Sequence, residues 1–479
     1  MNVQRQMRSD IGWHGMGPRV LVLGLIVLAA LGAADLAQAG TIEVTTEADV
    51  VDENDGEISL REAILMANAE PGSEILFSGN HVLTIGALPP ITADRTALHG
   101  VGGARIDGTN VSPDFPCFDP TGPVRGPAGI EIAASEFTLN GVDISGFQVG
   151  VLVLADGVSL SKIEIEDNSV HGPGMDAIRL AASGGGSLDR VMVADNTIQG
   201  LNTGVIVAAD WFSTGAIIQR VQIEDNVILD LVPLPFCPPF FDSLPPIGVV
   251  AGSFGKQIFD NSVELEANGN TIRNSGTPGT AALALIGSGF DCGMGFDNEV
   301  HASWEHNTVE NYEDVAQVFG SLFANGGTAF LSAKNNVGES VAKGVLVIGG
   351  LGDPPGAPPA QCNVAQEDFF GTGAAGTGEA EAKDNVFRAA AGLPPFVSPI
   401  SLLGGSGFGN VAALSISGGA FQDFPAGPLV VDTFFVFQPN TVVYKQENVD
   451  FINTPDTITV IQRDPNSTVT VNVEPDDND

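Results

Sequence analysis

Positive charge is scarce in this chain: 19 Lys and Arg stand against 58 Asp and Glu in 479 residues, a formal net charge of −39 at neutral pH. That imbalance excludes nucleic acid and an anionic membrane surface as partners, since both need clustered cations to displace their counterions. A polyuronate would be repelled as well, unless divalent cations or high salt screened the field, and the composition would suit a saline habitat. Cysteine is limited to Cys117, Cys237, Cys292 and Cys362, with no CxxC pair or clustered His beside them, so a zinc site is not expected. Helical periodicity is nearly absent too, which points to an all-β chain with one exception near its start.

What is present begins with a leader. Arg5, Arg8 and Arg19 precede or open an apolar run over residues 20–34, and Ala37-Gln38-Ala39 offers small residues for cleavage. Residues 1–39 therefore read as an export signal, with the mature chain starting at Gly40. The run is short for a membrane span, and no Cys follows it to carry a lipid. The expected location is secreted, extracellular or at the cell envelope, with no transmembrane anchor after cleavage. Export suits the even number of cysteines, each in or beside a loop rich in Pro or Gly. Two disulfides with three alternative pairings, or free thiols, are both open readings.

The exception to the β pattern is "EISLREAILMANAEPGSEILF". Ser59 and Glu62 form a capping box, Leu60, Ala63, Ile64 and Ala67 recur at helical spacing, and Pro71-Gly72 ends the helix. Further on, an Asn recurs at Asn168, Asn196, Asn226, Asn270, Asn307, Asn336 and Asn385, at intervals of 28, 30, 44, 37, 29 and 49 residues. Each follows an alternating segment such as "KIEIED", and a second apolar segment such as "MDAIRLAA" or "TGVIVAAD" lies between copies. Units that cannot bury their own apolar face stack as coils of a solenoid, and an Asn at the same corner of each coil would form a structural amide ladder. Such a stack needs a plug at its end. The helix over residues 59–68 is read as that plug.

At these residues the chain resembles the exported right-handed parallel β-helix proteins of the pectin-lyase-like superfamily. The segment "TIEVTTEADVVDENDGEISLREAILMANAEPGSEILF" is similar to their CSLREA-type N-terminal module, with Ile58 where that motif usually carries Cys. The stretch "LHGVGGARIDGTN" is similar to the glycine-rich early coil of many β-helices. The resemblance implies a solenoid of about ten coils: N-terminal cap 40–74, coils 75–430 with Pro-rich insertions, and C-terminal strands or cap with an acidic tail over 431–479. It leaves function open, because the superfamily spans lyases, hydrolases, epimerases and adhesins.

The enzyme motifs that the resemblance would bring are missing. His171-Gly172 is preceded by Val170, so there is no Gly-His-Gly, and neither an Arg-x-Lys element nor a calcium-binding Asp cluster with an Arg base is found. The candidate for a non-standard catalytic site is the residue before the ladder Asn, namely Asp167, Asp195 and Asp225, with Asp384 at the last copy. Carboxylates stacked about 5 Å apart could bind a cation or act as a glycosidase pair, whereas Asp at a corner also simply accepts its own backbone bonds. The acidic loop at residues 52–57 could take Ca²⁺ but lacks the EF-hand pattern and reads first as a solvated loop; no other cofactor is implied. His301 and His306 flank Trp304 on opposite faces of a strand and are not read as metal ligands. For carbohydrate, the candidates are Trp211, Phe212, Phe240 and Phe241, with Phe236 nearby, because loops on a rigid scaffold carry binding rings. The expected protein is a monomeric, non-catalytic binder of polysaccharide or cell-surface glycan, or an adhesin. The rivals are a polysaccharide lyase or glycoside hydrolase, and a structural component of a matrix or surface layer.

Overall fold

In the computed structural model the described residues are 40–111, 127–210, 213–235, 243–244, 246–254, 258–289, 297–322, 326–351, 376–405, 409–433 and 439–474. One repeat shows how the coil forms. Ser159–Glu166 buries Leu160, Ile163 and Ile165 and leaves Lys162 and Glu164 in water, alternating with period two from Lys162 onward and slipping by one residue between Leu160 and Ile163 at the left-handed Lys162. A corner leads to Ser169–His171, another to Asp176–Ser183, and the next strand, Ser187–Ala194, lies parallel on Ser159–Glu166. The chain thus makes a three-strand coil, within the sequence reading of two or more short strands per unit. The strand that this reading did not single out is three residues long, too short to display a period.

Among the described residues repetition gives three parallel sheets of 14, 12 and 11 strands, a right-handed parallel β-helix with eleven full coils. The strands Leu429–Val431, Thr441–Glu447, Asp450–Ile452, Thr459–Ile461 and Thr468–Glu474 add rungs to the same three sheets. The inner faces form one continuous apolar core running from Ile42 to Tyr444. No helix among the described residues is long and apolar enough to cross a membrane.

The seven Asn side chains sit at the corner between the first and second sheets and are at most 5% exposed. Each repeats one bonding scheme. Asn226 Oδ1 accepts from the backbone N–H and from Nδ2 of Asn196, both at 3.0 Å, while its own Nδ2 donates to Val193 O and Asn270 Oδ1. One side chain thereby joins three successive rungs. A second, shorter set occupies the corner between the third and first sheets, where Asn261 bonds Asn298 and Asn410 bonds Asn440.

The first sheet carries an irregularity in its early rungs. Arg95, Glu136, Lys162, Arg190 and Arg220 occupy one position on five successive rungs, all left-handed with φ between 53° and 63°. A register shift between Ile218 and Val221 ends the kink, and the next rungs pair residue for residue.

At the N-terminal end, helix α1 (Leu60–Ala69) has the capping box: Glu62 N–H donates to Ser59 Oγ and Ser59 N–H donates to Glu62 Oε2. Leu60, Ala63, Ile64 and Ala67 join the core beside Ile75 and Phe77, and Ile58 packs half-buried against them. Arg61 ties the helix down through Asp49 (2.7 Å) and the carbonyls of Gly86 and Ala87. Burial pushes the Asp49 carboxyl up, but bonds from Arg61 and the N–H groups of Thr84 and Ile85 outweigh it and hold the group below its usual 3.8. Backbone bonds from Ser59 and Asp52 hold Glu62 below 4.5 in the same way, against a smaller burial effect. Carboxyls lowered on folding stabilise fully above about pH 4.5 and lose that contribution as pH falls. Acidification from about pH 5 to about pH 2 is therefore expected to open the cap before the middle coils. Hydrogen-exchange protection of the α1 amides checks this, and Asp49→Asn is expected to flatten the response; a pH-independent cap would contradict it.

Candidate functional site

The column of Asp167, Asp195 and Asp225 is a column of left-handed corners. Their φ values are 55°, 55° and 53°, and the same position is taken by Gly269, His306, Asn335, Asp384 and Gly418, all at positive φ. Each backbone N–H there reaches the strand of the next rung, as from Asp195 to Glu224 O and from Asp225 to Asn268 O. Gly, Asn and Asp are the residues that tolerate this conformation, so backbone geometry accounts for the pattern. Burial and the neighbouring carboxylates Glu164, Asp167 and Asp195 push Glu166 above its usual value, which marks an acidic strip in water. Among the described residues, no group of three or more His, Cys, Asp or Glu is placed to hold a metal ion. The loop at residues 52–57 closes on itself, Asn54 N–H on Asp52 Oδ1 and Glu57 N–H on Asp55 Oδ1. His301 lies exposed beside Phe330, whereas His306 is a corner residue bonded to Asn335, so the two are not brought together.

Trp211, Phe212, Phe236, Phe240, Phe241 and all four cysteines lie outside the described residues. Their places in the chain are informative nonetheless. Trp211-Phe212 directly follows Thr203–Asp210, and the Phe240 segment precedes Ile247–Phe254, two neighbouring strands of the third sheet.

That sheet differs from the others on its outer face. Ile286, Phe319, Ile348, Leu403 and Val431 stack there as a separate apolar cluster, with Ala128, Val149 and Leu152 forming another at the N-terminal end. Set into this face is a charged triad. Arg179 donates to Asp176 Oδ2 at 2.9 Å and to Asp210 Oδ2 at 2.5 Å, with the Arg179 side chain 5% exposed and that of Asp176 1%. Four rungs on, Asp314 and Gln317 repeat the arrangement in the same two columns as Asp176 and Arg179, Gln317 Nε2 donating to Asp314 Oδ2 at 2.6 Å, while Lys343 stands 3.6 Å from Oδ1.

Burial is the largest influence on both acids and raises them: Asp176 against the pull of Arg179, and Asp314 against Lys343 and Gln317. Burial works against the Arg179 charge, but Asp210 and Asp176 outweigh it and keep the guanidinium protonated. Asp176 Oδ1 and Arg179 Nε are buried without a hydrogen-bond partner among the described residues. Two carboxylates gripped by one buried guanidinium are held in place rather than freed to move protons. The triad ties the strands Asp176–Ser183 and Thr203–Asp210 together on the outer face of the third sheet. Sequence reasoning passed over it because Asp176 and Asp314 stand at the head of apolar segments read only as strand; aligning "DAIR" with "DVAQ" across the repeat would have found the shared acid.

Neither a family model nor a curated protein matches the sequence. Among solved structures the chain is similar to the surface protein and adhesin PfbA of Streptococcus pneumoniae (9% identity, TM-score 0.39, 90% of this chain and 100% of that one). It is also similar to the mannuronan C-5 epimerase AlgE4 A-module of Azotobacter vinelandii (11%, 0.32, 90% and 100%). A third likeness is to the catalytic domain of a GH87 alpha-1,3-glucanase (11%, 0.35, 91% and 69%). At such identities and scores none of these carries function across.

Proposed function

We propose that this is an exported, non-catalytic β-helix that binds or adheres to a glycan on the third-sheet side of its coils. The observation that carries the reading is the outer face of the third sheet, which is apolar and braced by a buried ion triad. Segments flanking the strands of a rigid scaffold are the usual carriers of recognition, and in the chain Trp211 and Phe212 follow Thr203–Asp210 while Phe240 and Phe241 precede Ile247–Phe254. Export rests on reading residues 1–39 as a leader, and the opening segment resembles the CSLREA-type module of exported β-helices of the pectin-lyase-like superfamily.

One observation favours the rival hydrolase or lyase reading: Asp176 is a buried carboxyl, raised by its surroundings, with an oxygen left unpartnered. The two readings separate on a panel of neutral and acidic polysaccharides, scored for retention on the polymer and for release of reducing or unsaturated ends. Retention without release, weakened at least about tenfold by Trp211→Ala with Phe240→Ala, is the expected result. Release of ends that Asp176→Asn or Asp195→Asn abolishes would sink the binding reading.

A further inference from the structure

From the kinked column of the first sheet we infer a second binding site, away from the third-sheet face, that takes an acidic polysaccharide laid along the solenoid axis. The site is made by four cations, Arg95, Lys162, Arg190 and Arg220, at one position on rungs one, three, four and five, all exposed. Rungs repeat at about 4.8 Å, so the column runs about 19 Å, and its step is comparable to one sugar of an extended polymer. A uronate or sulfated sugar in each unit would meet a cation on most rungs.

Chance placement of charge accounts poorly for this column. The chain has few cations, yet four occupy one register position, and only where the backbone adopts the left-handed kink. Past the register shift, the position just before Leu265, Ala302 and Leu331 carries Glu264, His301 and Phe330 instead. A left-handed β-carbon is disfavoured for Arg and Lys, and Gly, Asn or Asp would relieve it, as they do along the corner column. Here the long cationic side chains are kept.

Internal carboxylates pair with three of the four cations and keep the side chains in line, Arg190 Nε standing 3.3 Å from Asp189. Lys162 bonds Glu136 at 2.8 Å, and Arg220 grips Asp189 with Nε and a terminal nitrogen at 2.6 and 2.5 Å. Pairs this exposed contribute little, so an incoming carboxylate can displace them at small cost. The bond from Lys162, reinforced by the charges of Arg95 and Arg190, holds Glu136 below its usual value. At the head of the column Arg95 has no ion-pair or hydrogen-bond partner for its guanidinium among the described residues, and it lines a cleft of about 400 Å³ with Asn68, Thr92, Asp94, Ser135 and Glu136. The overall charge of −39 does not forbid binding, since at about 0.15 M salt fields fade within roughly 8 Å and the ligand reads the local column.

The proposal goes beyond the third-sheet reading and fails separately from it. Fluorescent oligogalacturonate, a sulfated oligosaccharide and a neutral oligosaccharide, each long enough to cover five rungs, are titrated into the purified protein at several salt concentrations. Both acidic probes are expected to bind and the neutral one not to bind at this column, with affinity falling as salt rises. Arg190→Gln with Arg220→Gln is expected to weaken acidic binding about 25-fold, near fivefold for each cation lost, and to flatten the salt dependence. Arg273→Gln, an exposed cation elsewhere, should change nothing. No acidic binding at low salt, or equal affinity in the double variant, overturns the site. Loss of acidic binding in Trp211→Ala with Phe240→Ala, but not in the arginine variant, assigns the ligand to the third-sheet side and overturns it as well.

Discussion

Arg179→Met is expected to lower stability by about 3–5 kcal/mol, the largest effect of any single substitution considered for this molecule. The size follows from what remains: Asp176 and Asp210, both within reach of one guanidinium, would face each other in a buried site with no cation between them. The loss should depend on pH with a definite sign. Burial already raises Asp176 above 3.8 in the folded chain, and Arg179 is what opposes that rise. Without the arginine the folded value climbs further, so the variant should recover stability as pH falls from about 7 to about 5 and the carboxyls take up protons. Replacing all three, as Asp176→Asn, Arg179→Met and Asp210→Asn together, should restore most of the loss because no charge is left uncompensated. Urea unfolding at two pH values measures each step. A single variant within about 1 kcal/mol of wild type would show the triad to be solvated.

Asn226→Ala should destabilise by about 3 kcal/mol, whereas Asp225→Gly beside it should be nearly neutral or slightly favourable. The alanine removes the acceptor for the Asn196 N–H and Nδ2 and the donor to Val193 O, all fully buried, and no water reaches them. The glycine relieves a left-handed β-carbon at φ 53° and deletes an exposed carboxylate. Because each rung touches only its neighbours, the damage should appear first as faster exchange of amides on the rungs at Asn196 and Asn226, ahead of any shift in global unfolding. Equal effects of the two substitutions would mean that the corner acids do more than turn the chain.

Much of the architecture was readable because it repeats. Seven aligned Asn and the alternation of Ile163 and Ile165 with Glu164 and Glu166 fix the first sheet, its register and the corner beyond it, and the capping box at Ser59 and Glu62 marks the one helix. The second sheet escaped notice because strands such as Thr197–Gln199 bury a single residue, too little to show a period. The site was less legible still. Asp176 and Arg179 lie three apart and share the outer face only because the register of the third sheet skips Ala177, an irregularity that alternation cannot announce. The cationic column was hidden for a related reason: its members are scattered over residues 95 to 220, and only the stacking of coils lines them up. Net charge, read from the whole chain, pointed away from acidic ligands, while charge read along a single register points toward them.

The amide ladder makes reach an adjustable property. Every joint is the same joint: the contact between Asn168 and Asn196 is repeated between Asn196 and Asn226, across intervals of 28 and 30 residues. Excising residues 169–196 would bring Asn168 onto Asn226 through an identical pair of bonds, at the loss of Asp176 and Arg179, and adding a coil would lengthen the rod by one rung, about 4.8 Å. Copying or dropping a single coil outside residues 176–210 would therefore change the length of the stack by one rung while leaving helix α1 and the Arg179 triad as they are.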